Sequence, residues 1–304
     1  MKQRVIALGF FDGVHLGHGA LLRRTRELAE QYGVQAAALT FDRHPDELVH
    51  GISVPLLNTS REREGIMATY YGIEELLTLP FDRSRMAQPW QDFVKQSLRQ
   101  EYGAIHVVCG YDFRFGSRGL GDASKLAELC GELGMGCDCI PEVIIEGNTV
   151  SSTLIRRLLS QTEPNEALRL LGHPHILSGT VVSGRKLGRT IGIPTANLSV
   201  GEEILLPKTG VYATMTRIEG KSYLAVTNIG SRPTVGGRHI TVEPWILDYS
   251  GDLYGQELSL ELYRYLRPER SFDSLEALKE EILHNAEQTK HLLSQELRER
   301  NQTI

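Results

Sequence analysis

Apolar residues in the first half of the chain recur in two spacings, which predict strands alternating with helices. Short apolar runs end at glycine or proline, as buried parallel strands do. The predicted strands are residues 5–8, 35–41, 76–79 and 105–109. Between them, apolar residues at helical spacing predict helices over 20–29, 89–98, with Pro89 at the first helical position, and 125–133, and another opens near 151. This rhythm predicts an α/β domain built on a doubly wound parallel sheet.

The pattern changes beyond Leu171, where helical spacing gives way to short strands between turns. Closely spaced strands of this kind predict a small antiparallel β-barrel. A final stretch of alternating charged and apolar residues, 274–293, predicts a closing helix. We therefore predict two domains, 1–170 and 171–304. The predicted strands of the second domain are 179–182, 212–217, 223–227, 240–249 and 258–265.

Composition narrows the class of protein. A length of 304 residues suits two domains, and a hydrophobic share of 41% suits a chain with a real core. The net charge of −5 offers no basic surface for nucleic acid, and no apolar run approaches the roughly 20 residues of a spanning helix. The four cysteines lack the spacing of a zinc site or a disulfide framework. We expect a cytoplasmic protein with small-molecule substrates and neither nucleic acid nor membrane as partner.

The first predicted strand leads into a glycine-rich turn and a helix start. Residues 9–18 read Gly-Phe-Phe-Asp-Gly-Val-His-Leu-Gly-His. A helix start attracts phosphate, and Gly9, Gly13 and Gly17 allow a ligand close to the backbone. His15 and His18 are three residues apart and share a helical face, where imidazoles could stabilise developing charge. They could also be surface residues or, less favoured for lack of further ligands nearby, zinc ligands.

Other candidate stretches follow the later predicted strands. Thr-Phe-x-x-His-Pro occupies 40–45, Gly-x-Asp-Phe-x-Phe-Gly occupies 110–116, and Ser-Ser-Thr-x-Ile-Arg occupies 151–156. Ligands bind outside the carboxyl ends of strands in open α/β sheets, which is where the first two stretches fall. The hydroxyls of 151–153 could be ordinary N-caps, or they could reach triphosphate oxygens together with Arg156.

Two stretches carry the chemistry of the second half. Residues 179–198 contain four glycines among polar residues and end in Pro194-Thr195-Ala196-Asn197, which suits either hairpin turns or a flap over phosphates. Asn228-Ile-Gly-x-Arg-Pro-Thr is followed by Glu243. A lone strand glutamate is usually solvated, but Glu243 lies among apolar residues and could face a site.

The N-terminal motifs, in their order along the chain, resemble the adenylyltransferase half of bacterial bifunctional FAD synthetases. The stretch from about 179 to 272 resembles the riboflavin kinase module of the same enzymes. The resemblance implies transfer of phosphate from ATP to riboflavin, giving FMN, and then of an adenylyl group to FMN, giving FAD and pyrophosphate. It implies Mg²⁺ with ATP and no tightly bound redox cofactor.

The same resemblance implies a role for individual residues. Glu243 would be the base of the kinase, His15 and His18 would stabilise phosphate charge, and Thr195 would bind Mg²⁺. His44, Asp112, Phe113 and Arg232 would bind flavin. The residues expected to bind nucleotide are Gly9, Phe11, Asp12, Gly17, Ser152, Thr153, Arg156, Gly184, Lys186, Gly188 and Asn197.

The sequence departs from the family pattern at three positions. Trp245 stands where the family usually has histidine, Gly119 stands where it has arginine, and Arg43 replaces a proline. These departures leave two alternatives open: a paralogue with a single working half, and a non-catalytic flavin-binding regulator.

Overall fold

The computed structural model describes residues 2–184, 188, 192–234 and 237–302, with the backbone alone for 232–234, 237–239 and 302. It divides into two compact units, Met1–Ser152 and Thr153–Ile304. The predicted boundary between residues 170 and 171 concerns where two activities divide and stays a prediction.

The first unit is built on a parallel sheet with strand order β3-β2-β1-β4-β7. The central strand β1 is the most enclosed, and Val5, Ile6 and Ala7 have no exposed surface. This burial on both faces explains why its sequence is continuously apolar. The strands of the unit are β1 (Arg4–Leu8), β2 (Gln35–Phe41), β3 (Glu75–Leu79), β4 (Ala104–Gly110), β5 (Arg114–Phe115), β6 (Gly121–Asp122), β7 (Gly136–Ile140), β8 (Ile144–Ile145) and β9 (Asn148–Thr149).

Helices lie between these strands along the chain, and two more follow the last strand of the unit. Helix α1 buries Leu21, Leu22 and Leu28 and ends at Gly33, whose left-handed φ of 64° suits glycine. The helices are α1 (Leu16–Tyr32), α2 (Pro45–His50), α3 (Ser60–Tyr71), α4 (Arg83–Ala87), α5 (Trp90–Asp92, continued as a π-helix over Phe93–Glu101), α6 (Ala123–Glu132), α7 (Ser152–Gln161) and α8 (Pro164–Leu171). The last two belong wholly or mostly to the second unit.

The second unit is a closed antiparallel barrel with strand order β10-β11-β14-β13-β12-β15 among the residues described. Its strands are β10 (His175–Val182), β11 (Asn197–Val200), β12 (Gly210–Ile218), β13 (Lys221–Thr234), β14 (Gly237–Ile246) and β15 (Glu257–Arg267). A C-terminal helix, Leu275–Gln302, packs Ala286 and Leu293 against Val211, Met215 and Leu224 on the outside of the barrel.

The predicted fold class is confirmed in both halves, while several predicted bounds were wrong. Pro89 caps the next helix instead of being its first residue. The C-terminal helix continues to Gln302, nine residues past the predicted end. Helix α3 and strand β7 went unpredicted, because α3 has a weak apolar stripe and β7, at the edge of the sheet, is only half-buried.

Within the described part of the chain, none of the helices combines the length and the apolar character needed to cross a membrane. All four cysteines, Cys109, Cys130, Cys137 and Cys139, are free thiols.

Candidate active sites

The glycine loop between β1 and α1 is held in a strained conformation. Phe11 and Val14 have positive φ values of 60° and 40°, although neither is glycine, and Gly13 has φ 79°. Such conformations cost on the order of 1–3 kcal/mol each and persist only where the surroundings fix them. Phe11 and Val14 are fully buried, and the Val14 N–H donates to the Phe11 carbonyl at 3.1 Å. The loop is therefore preorganised by its packing.

Asp12 fixes the other side of this loop. Its side chain is 2% exposed, and one carboxylate oxygen, Oδ1, accepts hydrogen bonds from the backbone N–H groups of Leu57 (2.8 Å) and Asn58 (3.3 Å). The Asp12 carbonyl also accepts a hydrogen bond from the Ser152 hydroxyl at 2.9 Å. Asp12 therefore ties together three segments that are far apart in the sequence.

The two histidines of the loop form a stacked pair at the start of α1. Their ring centroids are 3.7 Å apart and the planes differ by 14°. His15 is the N-cap, and its Nδ1 accepts a hydrogen bond from the His18 backbone N–H at 3.3 Å. An Nδ1 that accepts carries no hydrogen, so the neutral His15 ring has its hydrogen on Nε2. Burial, then the neighbouring His15 and Arg63, lower the pKa of His18 well below its ordinary value of 6.5. Both rings therefore offer neutral N–H donors.

Gly9 and Gly17 of this loop each face an aromatic ring. A Cβ at position 17 would lie 3.0 Å from the His15 ring and 3.3 Å from the Val150 carbonyl oxygen, and a Cβ at position 9 would lie 3.1 Å from the Phe11 ring. A side chain at either position would therefore crowd a neighbouring ring, so close packing favours glycine at both.

The other residues predicted in the first half lie on several different elements. His44 caps α2, its Nδ1 accepting from the Asp46 N–H at 3.2 Å, and its ring meets the edge of Phe10 at 4.8 Å. Phe113 stacks on Phe115 at 5.3 Å, while Asp112 is exposed beside it. Thr153 and Arg156 lie on α7, in the second unit. The roles of all these residues stay predictions.

The side chains of Asn58 and Arg63 were missed by the sequence analysis. Both are buried next to the glycine loop, at the start of α3. The signal that would have found them is the capping box Thr59-x-x-Glu62, in which the Thr59 N–H donates to Glu62 and the Glu62 N–H donates to the Thr59 hydroxyl.

In the second unit, a cavity of about 440 Å³ lies between the barrel and the C-terminal helix. Pairing of β13 with β14 puts Asn228 opposite Glu243 and Val226 opposite Trp245, and all four side chains line the cavity. The helix closes it with Leu278, Ile282 and Asn285, which follow its period of 3.6 residues. The volume lies in the usual range for a small-molecule site, about 300–1,000 Å³.

Thr195 lines both this cavity and a second one of about 160 Å³. The segment that carries it is anchored to β14, because the Ala196 N–H donates to the Pro244 carbonyl at 2.9 Å, next to Glu243. The smaller cavity is lined by residues that the sequence analysis did not select, among them Tyr249, Leu253 and Tyr254. Thr195 is therefore placed where two ligands in neighbouring cavities would meet.

The predicted flap is described only in part. A Cβ at Gly188 would lie 2.1 Å from the Ile193 carbonyl oxygen, so the backbone there requires glycine, whereas a Cβ at Gly184 would lie 2.1 Å from the Asn197 side-chain amide and would displace it. Lys186 and the side chain of Arg232 lie outside the described residues.

The departure at Gly119 has a conformational reason. Gly119 has φ 64° and the preceding Arg118 has φ 57°, so two successive residues are left-handed. Glycine adopts this conformation without strain, whereas an arginine there would be strained.

In the described residues, no group of three or more His, Cys, Asp or Glu side chains is placed to share a metal ion.

The fold and the two sites define a two-unit transferase that uses nucleotides, with a nucleotidyltransferase-like α/β unit and a kinase-like barrel. A model of the FAD synthetase family matches residues 1–154, and a model of the riboflavin kinase family matches residues 171–293. The chain belongs to the family of bifunctional riboflavin kinase/FMN adenylyltransferases.

Individual relatives are similar in sequence to this chain over nearly its whole length. The bifunctional riboflavin kinase/FMN adenylyltransferase of Listeria monocytogenes is 37% identical over 91% of this chain and 88% of its own. That of Pseudomonas fluorescens is also 37% identical, over 91% and 89%. A crystal structure from Streptococcus pneumoniae, described as a macrolide-efflux protein, is 30% identical, with a TM-score of 0.83 over 95% of this chain and 94% of its own. It supports the fold of both units.

Proposed function

We propose that this chain phosphorylates riboflavin to FMN and adenylylates FMN to FAD, using one ATP in each step. The observation that carries the proposal is the barrel cavity, which surrounds one apolar-walled space with Thr195, Asn228 and Glu243. Its volume and its wall of Val211, Val226 and other apolar side chains suit a flat tricyclic ring with a polar tail.

In the kinase step, Glu243 accepts the proton of the ribityl 5′-hydroxyl. The hydroxyl oxygen attacks the γ-phosphorus of ATP, the bond to the bridging β–γ oxygen breaks, and FMN and ADP leave. Riboflavin occupies the cavity that holds Glu243, and ATP extends its base toward Tyr249 and Tyr254 in the smaller cavity. Support for this arrangement comes from Thr195, which lines both cavities at the point where the phosphates would lie.

The residues present fit a magnesium ion bound together with ATP. Mg²⁺ takes oxygen ligands and usually needs one or two from the protein, the rest being phosphate oxygens and water. The Thr195 hydroxyl supplies such an oxygen, and the carboxylate and amide oxygens of Glu243 and Asn228 line the same cavity. The ion, when bound, neutralises charge on the transferred phosphoryl group. Asn197 would orient the nucleotide, with Gly184, Lys186 and Gly188 over its phosphates.

In the adenylyl step, a phosphate oxygen of FMN attacks the α-phosphorus of a second ATP. The bond from that phosphorus to the bridging oxygen breaks and pyrophosphate leaves, giving FAD. His15 and His18 donate hydrogen bonds to the phosphate oxygens as negative charge develops, and the N-terminus of α1 adds its dipole. Support comes from the neutral state of both rings and from the preorganised loop around them.

We assign the other predicted residues to binding. Gly9, Phe11, Asp12 and Gly17 would shape the nucleotide site, and Ser152, Thr153 and Arg156 would hold the triphosphate. His44, Asp112, Phe113 and Arg232 would contact FMN or riboflavin. We place the activity in the cytoplasm, where ATP is abundant and the four free thiols stay reduced.

The first experiment resolves the flavins by chromatography after incubation with riboflavin and MgATP, and in parallel with FMN and MgATP. We expect FMN followed by FAD in the first reaction, with ADP and pyrophosphate as separate products. FMN alone would indicate that only the barrel works, and FAD from supplied FMN alone would indicate the reverse. Flavin binding without any product would favour a regulator and overturn the proposal.

Two substitutions assign the halves. His18→Ala abolishes FAD formation and leaves FMN formation unchanged, whereas Glu243→Gln stops FMN formation and leaves FAD formation from supplied FMN. The exposed His50 and Glu202 provide matched controls, since His50→Ala and Glu202→Gln should alter neither reaction. Equal loss of both activities in a folded His18→Ala protein would refute this division of labour.

A further inference from the structure

Beside the glycine loop lies a buried cation that the proposed mechanism does not use. Arg63, in the first turn of α3, is 2% exposed. Among the described residues, its Nε has no hydrogen-bond partner. Guanidinium remains charged in proteins, and burying it is costly unless other groups offset the charge.

The guanidinium clamps the first residue of the loop after Gly9. Its Nη1 donates to the Phe10 carbonyl at 2.5 Å and to the Thr40 hydroxyl at 3.1 Å, and that hydroxyl in turn donates to the Phe10 carbonyl at 2.9 Å. The guanidinium also lies over the Phe10 ring, 4.5 Å from its centroid. Phe10 is thus held from β2 and α3 at once.

This clamp acts directly before the strained part of the loop. Phe11 and Val14 keep positive φ only while neighbouring residues hold them, and Phe10 is the residue through which the loop leaves β1. The capping box at Thr59 and Glu62 fixes the start of α3 and so fixes Arg63. A shift of the Phe10 carbonyl would be passed on to the residues that present His15 and His18.

The charge of Arg63 also reaches the histidine pair. It is one of the causes that lower the pKa of His18, after burial and His15, and so it favours the neutral ring. Asp12 is the negative group that stabilises the Arg63 charge, but its Oδ1 is occupied by two backbone N–H groups. The positive charge of Arg63 beside the loop suits a polyphosphate.

We propose that Arg63 is a positioning residue for adenylyl transfer, which anchors the glycine loop through the Phe10 carbonyl and supplies buried positive charge for the triphosphate of ATP. This inference rests on the proposed adenylyl transfer to FMN. Arg63 acts through Phe10 and through its electrostatic field.

Three variants separate the anchor from the charge. Arg63→Met removes both, Arg63→Lys keeps the charge but loses the planar fork, and Thr40→Val removes one arm of the clamp while Arg63 stays. Arg61→Met, on the exposed neighbour in the same helix turn, is the matched control. For each full-length protein we would measure kcat for FAD formation, KM for ATP and FMN, and inhibition by pyrophosphate.

We expect Arg63→Met to lower kcat about 100-fold, the effect of a displacement of about 1 Å in a reacting arrangement. Its KM for ATP and its inhibition constant for pyrophosphate should both rise, with KM for FMN unchanged. In Arg63→Lys, KM for ATP and the inhibition constant for pyrophosphate should be close to those of the unaltered protein, whereas kcat should stay low. Thr40→Val should lower kcat several-fold, about the loss of one buried hydrogen bond. A purely structural role would not divide the constants in this way.

The riboflavin kinase rate of each sample reports whether the rest of the protein is intact. Unchanged kcat and KM for ATP in Arg63→Met would overturn the inference. If that variant does not fold, an unchanged kcat in Thr40→Val would overturn the anchoring role in the same way. Failure of the unaltered protein to make FAD would contradict the proposed function itself, whereas an active Arg63→Met protein would contradict only the role of Arg63.

Discussion

His175 makes the stability of the barrel depend on pH. It lies in β10 with no exposed surface, and neither ring nitrogen has a hydrogen-bond partner in the described structure. Burial, and next the neighbouring His173, lower its pKa from 6.5 to about 3. The folded barrel therefore keeps His175 neutral at acidic pH, while the unfolded chain binds a proton there.

The sign and size of the effect follow from that difference. Because the folded pKa is the lower one, the stabilisation is complete above the unfolded value of 6.5 and is lost as pH falls toward 3. At pH 5.0, about 1.5 pH units below 6.5, the loss amounts to about 2 kcal/mol, since each unit corresponds to about 1.36 kcal/mol. His175→Leu removes the titrating group and should abolish this part of the pH dependence.

The assay is urea unfolding of the full chain carrying Trp90→Phe, which leaves Trp245 as the remaining tryptophan and so reports on the barrel. Between pH 7.5 and 5.0, the free energy of unfolding should fall about 2 kcal/mol more in the protein with His175 than in His175→Leu. At pH 7.5 the variant should be at least as stable, because an unpaired polar ring is costly to bury.

The exposed His284 provides the matched control, and His284→Leu should keep the pH dependence of the parent. His175→Gln, polar but without a titrating group, should behave like His175→Leu. Equal pH slopes in the parent and in His175→Leu would refute the reasoning.

Two further predictions concern the sites. Trp245→Ala should raise KM for riboflavin about 10-fold, because it removes an aromatic wall of the cavity that is worth roughly 1.5 kcal/mol of binding. KM for ATP should not change, and Trp245→Phe should behave like the unaltered protein. Initial rates of FMN formation test this, and an equal rise of KM for riboflavin and KM for ATP would contradict it. Asp12→Ala should destabilise the first unit by about 2–4 kcal/mol, because the buried N–H groups of Leu57 and Asn58 lose their acceptor. Asp12→Asn, which keeps an oxygen there, should recover most of that stability. Urea unfolding, monitored by the fluorescence of Trp90 in a Trp245→Phe background, measures the free energy of unfolding of the two variants. Equal losses in Asp12→Ala and Asp12→Asn would count against the explanation.

The local pattern of apolar residues was sufficient to predict strands that are buried along their length and helices that bury one face. The strand over Gln35–Phe41 was predicted to the residue, and α1 buries Leu21, Leu22 and Leu28 as its spacing requires. Strand β11 was missed, because Asn197–Val200 is short and lies in a polar stretch that looked like a flap. Its pairing with β10 and β14 makes it a strand, and that pairing is long-range.

The sequence by itself determined the two fold classes and the spacing of His15 and His18, since both depend on periodicity along a few residues. Only the tertiary structure decided which side chains meet. Cross-strand register places Asn228 opposite Glu243, and the folding of α3 onto the glycine loop brings Arg63 to Phe10. Register and helix packing depend on contacts between residues far apart in the chain, and local periodicity carries no information about them.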